Sequence, residues 1–184
     1  EWCMYPRIRF MFAGMETLVD PYNVAPPPGG GAHDIIQALT NASDTAEQGI
    51  VDGDTRIAPA SLDLGEAPDA QSVGLRFVNI PIPKNATINT AYLEMEAGTN
   101  PNSGSPTFSI KLQDSLAAPA FIAGTANFDI SSRTLRAESV SWSPASWTAG
   151  QITAASTTPS LISLLQPVVN LAGWSSTSNT LVVV

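Results

Sequence analysis

Apolar residues recur at every second position in several stretches of this chain, the period of a strand with one buried face. In "VGLRFVNIPI", residues 73 to 82, Val73, Leu75 and Phe77 share one face and Arg76 lies opposite. Pro81 and Pro83 lack the amide a ladder requires and so end regular pairing there. "PKNAT" makes the turn, and "INTAYLEMEA" (88 to 97) sets Ala91, Leu93 and Met95 inward against Tyr92, Glu94 and Glu96. "GTNPNSGSP" (98 to 106) is a loop by composition. "TFSIKLQ" (107 to 113) then alternates Phe108, Ile110 and Leu112 with Ser109 and Lys111. Shorter strands are expected near 128–130, 134–142 and 180–184. Strands at this spacing, broken by turns, predict an all-β antiparallel fold, a β-sandwich or jelly roll.

One stretch has a different period. In "TTPSLISLLQPVVNLAGW", Leu161, Leu164, Leu165, Val168 and Val169 follow helical spacing. Thr158 is placed to cap, Pro159 suits the first turn and Gly173 suits the exit. Pro167 removes an amide and clashes with the preceding turn, which predicts a kink or an early stop.

The amino-terminal residues form a unit of their own. Over 1–25, "PRIRFMF" alternates Arg7, Arg9 and Met11 with Ile8, Phe10 and Phe12, an extension strand with one apolar face. Residues 26–32, within "APPPGGGA", combine stiff prolines with a glycine hinge and read as a linker to a domain spanning 33–184. Two readings stand open. The segment folds back as an edge strand of its own domain, or it pairs with the open sheet edge of a neighbouring copy, as in donor-strand complementation. The prolines favour donation, with Ile8, Phe10 and Phe12 filling a groove in the next subunit. Because such a contact is heterologous, repetition gives a filament and not a closed dimer.

Composition narrows the function. The 184 residues suit one domain with a core and a short appendage. Charged residues make up 13%, about half the usual share, while 15 Pro and 13 Gly suit a secreted β-protein rich in turns. A net charge of -8 lacks the basic footprint nucleic acid needs and disfavours anionic lipid. No apolar run approaches the roughly 20 residues of a membrane span. Glu1 in first place suggests a lost leader or a cut precursor. Cys3 stands alone, an incidental thiol or a bond between subunits, and His33 is the sole histidine, read as a hydrated linker residue. No Ser-His-Asp set can be built without that histidine, and neither a metalloprotease motif nor a phosphate loop is present, so an enzyme is not expected.

"NASDTAEQGIVDGDT", residues 41 to 55, gathers Asp44, Glu47, Asp52 and Asp54, with Gly53 allowing a tight turn. Calcium takes several hard oxygen ligands from such a loop, but "DGD" falls short of an EF-hand, and a solvated turn is the plainer reading. Asn41-Ala42-Ser43 and Asn85-Ala86-Thr87 fit the N-glycosylation pattern, and both fall where turns are expected. Trp142 and Trp174 sit at core positions. Trp147, in "SPASWTAG", has the claim to the surface that stacking on a sugar ring would need.

The order of "SDTAEQ" (43 to 48), "SLDLGE" (61 to 66), "VGLRFVNIPIPKNATINTAYLEM" (73 to 95), "VSWSPASW" (140 to 147) and "TPSLISLLQPVVNLAGW" (158 to 174), leading to "NTLVV", resembles secreted DNRLRE-type modules. These are β-sandwich domains related to carbohydrate-binding modules and found in large extracellular proteins of bacteria and algae. The resemblance covers about 41–184. Asn85 replaces a glycine common in such modules, Thr45 replaces a common second acid, and Pro167 sits in the helix. The reading that joins these strands is an extracellular structural protomer, a homopolymer through its amino-terminal strand, with N-linked glycan and a calcium-stiffened 44 to 54 loop. The alternative is a carbohydrate-binding or adhesive module binding polysaccharide through Trp147 and Tyr92.

Overall fold

The computed structural model describes residues 4–12, 33–39, 41–59, 62, 64, 70–97, 106–145, 150 and 152–184. The linker 26–32, Cys3 and Trp147 lie outside them. The described chain is all-β, with antiparallel strand pairs and one short helix.

Three strands, β1 (Met4–Phe12), β2 (His33–Ala38) and β6 (Ile88–Ala97), form a sheet in the order β2-β1-β6. A second sheet runs β4-β3-β5-β9, from β3 (Thr45–Gly49), β4 (Thr55–Ile57), β5 (Gln71–Val78) and β9 (Thr180–Val183). A two-stranded ladder joins β7 (Phe108–Ile110) to β8 (Val140–Trp142). The chain leaving β7 continues beside β9: Lys111 and Val184 exchange amide–carbonyl bonds of 2.8 and 2.9 Å, and Gln113 N donates to Val182 O at 2.9 Å.

Alternation does what the sequence expects of it on β5 and β6. Leu75, Phe77, Ala91, Leu93 and Met95 are buried, and they share one apolar cluster with Ile110, Leu112, Trp142, Leu181 and Val183. β5 stops at Val78, before Pro81 and Pro83. A smaller cluster gathers Ala46, Ala118, Phe121, Ile130 and Val182. β9 therefore faces both clusters, with Leu181 and Val183 in one and Val182 in the other.

The helix α1 (Ile162–Val169) carries Leu164, Leu165, Val168 and Val169 into the larger cluster. Pro167 lies inside it and the helix ends two residues later, so the early stop is the outcome. Its cap differs from expectation. Leu161 holds the N-cap position, while the Thr158 hydroxyl accepts Leu93 N at 3.0 Å and donates to Pro159 O. Asn170, not Gly173, closes the helix, its amide donating to Gln166 O at 3.2 Å. Thr158 N and Leu161 N donate to Leu93 O and Ala91 O, so the segment entering the helix satisfies the outer side of β6.

Two expected strands are corrected. Residues 128–133 form a turn, with Ser132 N donating to Phe128 O and Arg133 N to Ile130 O. Of 134–142, only Val140–Trp142 is strand. The physical reason sits on β3: the buried Gln48 amide accepts Ile130 N and Ser131 N through Oε1 and donates from Nε2 to the Ser131 hydroxyl. That clamp fixes a tight bend where an extended chain was expected.

Candidate functional site

The amino-terminal strand is the first place to look. Its apolar alternation makes a strand, and β1 lies in the middle of a sheet of its own chain. It is antiparallel to β6, with Ile8 opposite Leu93 and Phe10 opposite Ala91, and with a register shift at Met11/Phe12. On its other side Ile8 stands opposite Gln37 and Phe12 opposite His33. The pairing follows the fold-back reading, within one chain, and corrects it in one respect: β1 is a central strand and not an edge. A single chain fills the slot between β2 and β6 with its own strand, so donation to a neighbour requires exchange of that strand. The reason lies in the register, which sets apolar positions of β1 against apolar positions of β6. His33 is corrected with it: the residue opens β2 and is not part of a linker.

The acidic stretch folds into more structure than a solvated loop. A 3-10 turn (Ala42–Asp44) leads into β3, and a tight turn leads to β4. Asp44 is 2% exposed and ion-paired with the Arg76 guanidinium, whose Nε also donates to Ala118 O at 3.0 Å. Glu47, 1% exposed, sits on β3 within the sheet. Asp52 is exposed and its Oδ1 accepts Asp54 N, while Asp54 Oδ1 accepts Ala126 N at 2.8 Å. Asp44, Asp52 and Asp54 thus go to separate partners. Among the described residues no three His, Cys, Asp or Glu side chains converge on a metal position.

The aromatic residues divide as the alternation implies. Trp142 packs on Phe108 with ring centroids 5.6 Å apart, and Trp174 is buried with its Nε1 donating to Ile82 O at 2.7 Å. Tyr92 is half-buried on β6, opposite Arg9. Trp147, the other residue of the sugar-binding reading, lies outside the described residues. Beside Trp142 lies an apolar cavity of about 350 Å³ lined by Leu75, Leu93, Met95, Phe108, Ile110 and Val183. No separate signal along the chain marks it, since these six residues are also ordinary inward positions of strands.

Both sequons lie on the surface. Asn41 and Asn85 are exposed, and Asn85 takes the left-handed conformation (φ 64°) at the turn between β5 and β6. Asparagine tolerates that conformation better than most residues. No helix among the described residues is long and apolar enough to cross a membrane. No protein-family model, curated protein or solved structure matches the chain.

Proposed function

We propose that this chain is a structural protomer of an extracellular fibre, assembled by passing β1 from one copy into the β2/β6 slot of the next. The observation that carries the reading is the position of β1. It is a central strand, yet along the chain it is connected to the rest of the sheet only through residues 13–32. Twenty residues reach up to roughly 65 Å when extended. A strand on such a tether can enter a neighbour's slot in the same register and regain the same ladder bonds, so exchange needs no new interface. Chain-wise exchange, each copy giving to one neighbour and receiving from another, runs on as a filament wherever the rotation between copies does not close a ring. Secretion is supported by the low charge, the turn-rich composition and the resemblance to DNRLRE-type modules, which are themselves sandwich domains. The expectation of calcium in the 44 to 54 loop does not enter this proposal, because Asp44, Asp52 and Asp54 are occupied one by one.

Arg7 stands opposite Glu94 in the register, and opposed Cβ atoms about 4.5–5.5 Å apart lie near disulfide reach. A Cys3→Ser, Arg7→Cys, Glu94→Cys chain, concentrated to assemble and then oxidised, should give a covalent ladder on a non-reducing gel. Heavy- and light-isotope chains mixed before assembly should be found in one cross-linked pair. Crosslinks confined to single chains at every concentration would refute exchange.

A further inference from the structure

We propose that Asn85 is an N-glycosylation site, modified while the chain is still unfolded and then displayed at the β5–β6 turn. Two sequons compete for this role, and their surroundings separate them. At 85–87 both Asn85 and Thr87 are exposed and Ala86 is half-buried. At 41–43 the asparagine is exposed, but Ser43 is half-buried, its carbonyl accepts Phe121 N at 3.0 Å, and the next residue is the buried, ion-paired Asp44. A glycan on Asn85 meets solvent on the folded protein. The hydroxyl that completes the sequon lies exposed beside it.

The reaction joins Asn85 Nδ2 to the anomeric carbon of a polyprenyl-diphosphate-linked oligosaccharide. The bond from that carbon to the diphosphate oxygen breaks, polyprenyl diphosphate leaves, and one amide proton is released. Nothing is oxidised or reduced. The transferase needs the sequon backbone to bend into its own site, and in the folded chain this backbone is held. Asn85 N donates to Val169 O at 3.2 Å, and Ala86 N donates to Pro83 O at 3.1 Å. Gln166 grips the turn at two points, donating from Nε2 to Ala86 O at 2.9 Å and accepting Ile88 N at 2.8 Å. All of these holds except the Pro83 bond come from the helix, some 80 residues further along the chain. During synthesis the sequon is therefore complete and loose well before its clamp exists.

Expressing the full chain in a glycosylating eukaryotic host tests the assignment. Glycosidase release in heavy-oxygen water should mark Asn85 as labelled aspartate in the peptide map, a readout that does not depend on folding. Asn85→Gln and Thr87→Ala should each lose the mass of one glycan, and Asn41→Gln should keep the glycan on Asn85. An unlabelled Asn85 peptide overturns the proposal. For the timing, unmodified chain is offered to purified transferase with lipid-linked donor, folded and urea-unfolded. Transfer to Asn85 should be at least tenfold lower on the folded chain, and equal transfer overturns that part.

Discussion

Asn179 closes the turn into the last strand, and its removal leaves one buried backbone amide without its partner. The side chain is 3% exposed. Its Oδ1 accepts Ile80 N at 2.9 Å, and its Nδ2 donates to Ile80 O at 2.7 Å and Ser175 O at 2.6 Å. In Asn179→Ala, Ile80 O keeps the bond from Ile82 N. Ile80 N, on a residue with no exposed surface, loses its partner. An orphaned buried amide costs about 1–3 kcal/mol, and the lost bond to Ser175 adds about 0.5–1.5 kcal/mol. The sum is about 1.5–4.5 kcal/mol, a large share of the roughly 5–15 kcal/mol that holds a domain together. For a chain of this size it lowers Tm by about 3–18 °C. Urea and thermal melts followed by circular dichroism measure it, with Ser178→Ala, at the exposed position next door, as the control. If Asn179→Ala stays within about 0.5 kcal/mol of the parent, the argument that Asn179 fixes the 80–82 segment to β9 fails.

Other substitutions probe the packing and the acidic stretch. A Cβ on Gly74 would sit 2.4 Å from the Phe121 ring, so Gly74→Ala should cost about 1–3 kcal/mol by overpacking; a loss no smaller in a Phe121→Leu background counts against the clash as its cause. Pro167→Ala restores the amide missing inside α1 and should raise the urea midpoint by the equivalent of about 1 kcal/mol; a lower midpoint shows that the proline fits its turn without strain. Asp44→Ala strands Arg76, whose side chain is 18% exposed, and should cost about 1–3 kcal/mol after allowing for solvent at the guanidinium; an unchanged stability would mean water serves Arg76 equally well. Because Asp44 and Asp54 are already engaged, adding calcium or a chelator should leave Tm unmoved, and a rise of several degrees with calcium would disprove the separate-partner account.

What could be read in advance was whatever buries carbon on a regular period. β5, β6 and α1 announce themselves because Leu75, Phe77, Leu93, Met95, Leu164 and Leu165 recur at the spacing of their backbone. β3 does not, because "TAEQG" buries Ala46, Glu47 and Gln48 in succession. A strand that buries polar groups depends on partners distant in the chain, and Gln48 finds its own at Ile130 and Ser131. The same bond explains why 128–133 bends. β2 was hidden by the adjacent Ile35 and Ile36, which break the alternation. The strand at 5–12 was visible as a strand but not its place, since register with β6 is a property of two segments some 85 residues apart. The acidic residues looked like one group because they are close in sequence, while a 3-10 turn, a strand and a tight turn carry them to different partners.

The position of β9 bears on how the molecule comes apart. Consecutive side chains of this strand serve different apolar clusters, so it acts as a party wall between two rooms. Loosening the smaller cluster around Val182 pulls on the backbone that holds Leu181 and Val183, and disturbance in the larger one travels back the same way. Neither room should empty while the other stays furnished, so this part of the chain is expected to melt in a single cooperative step.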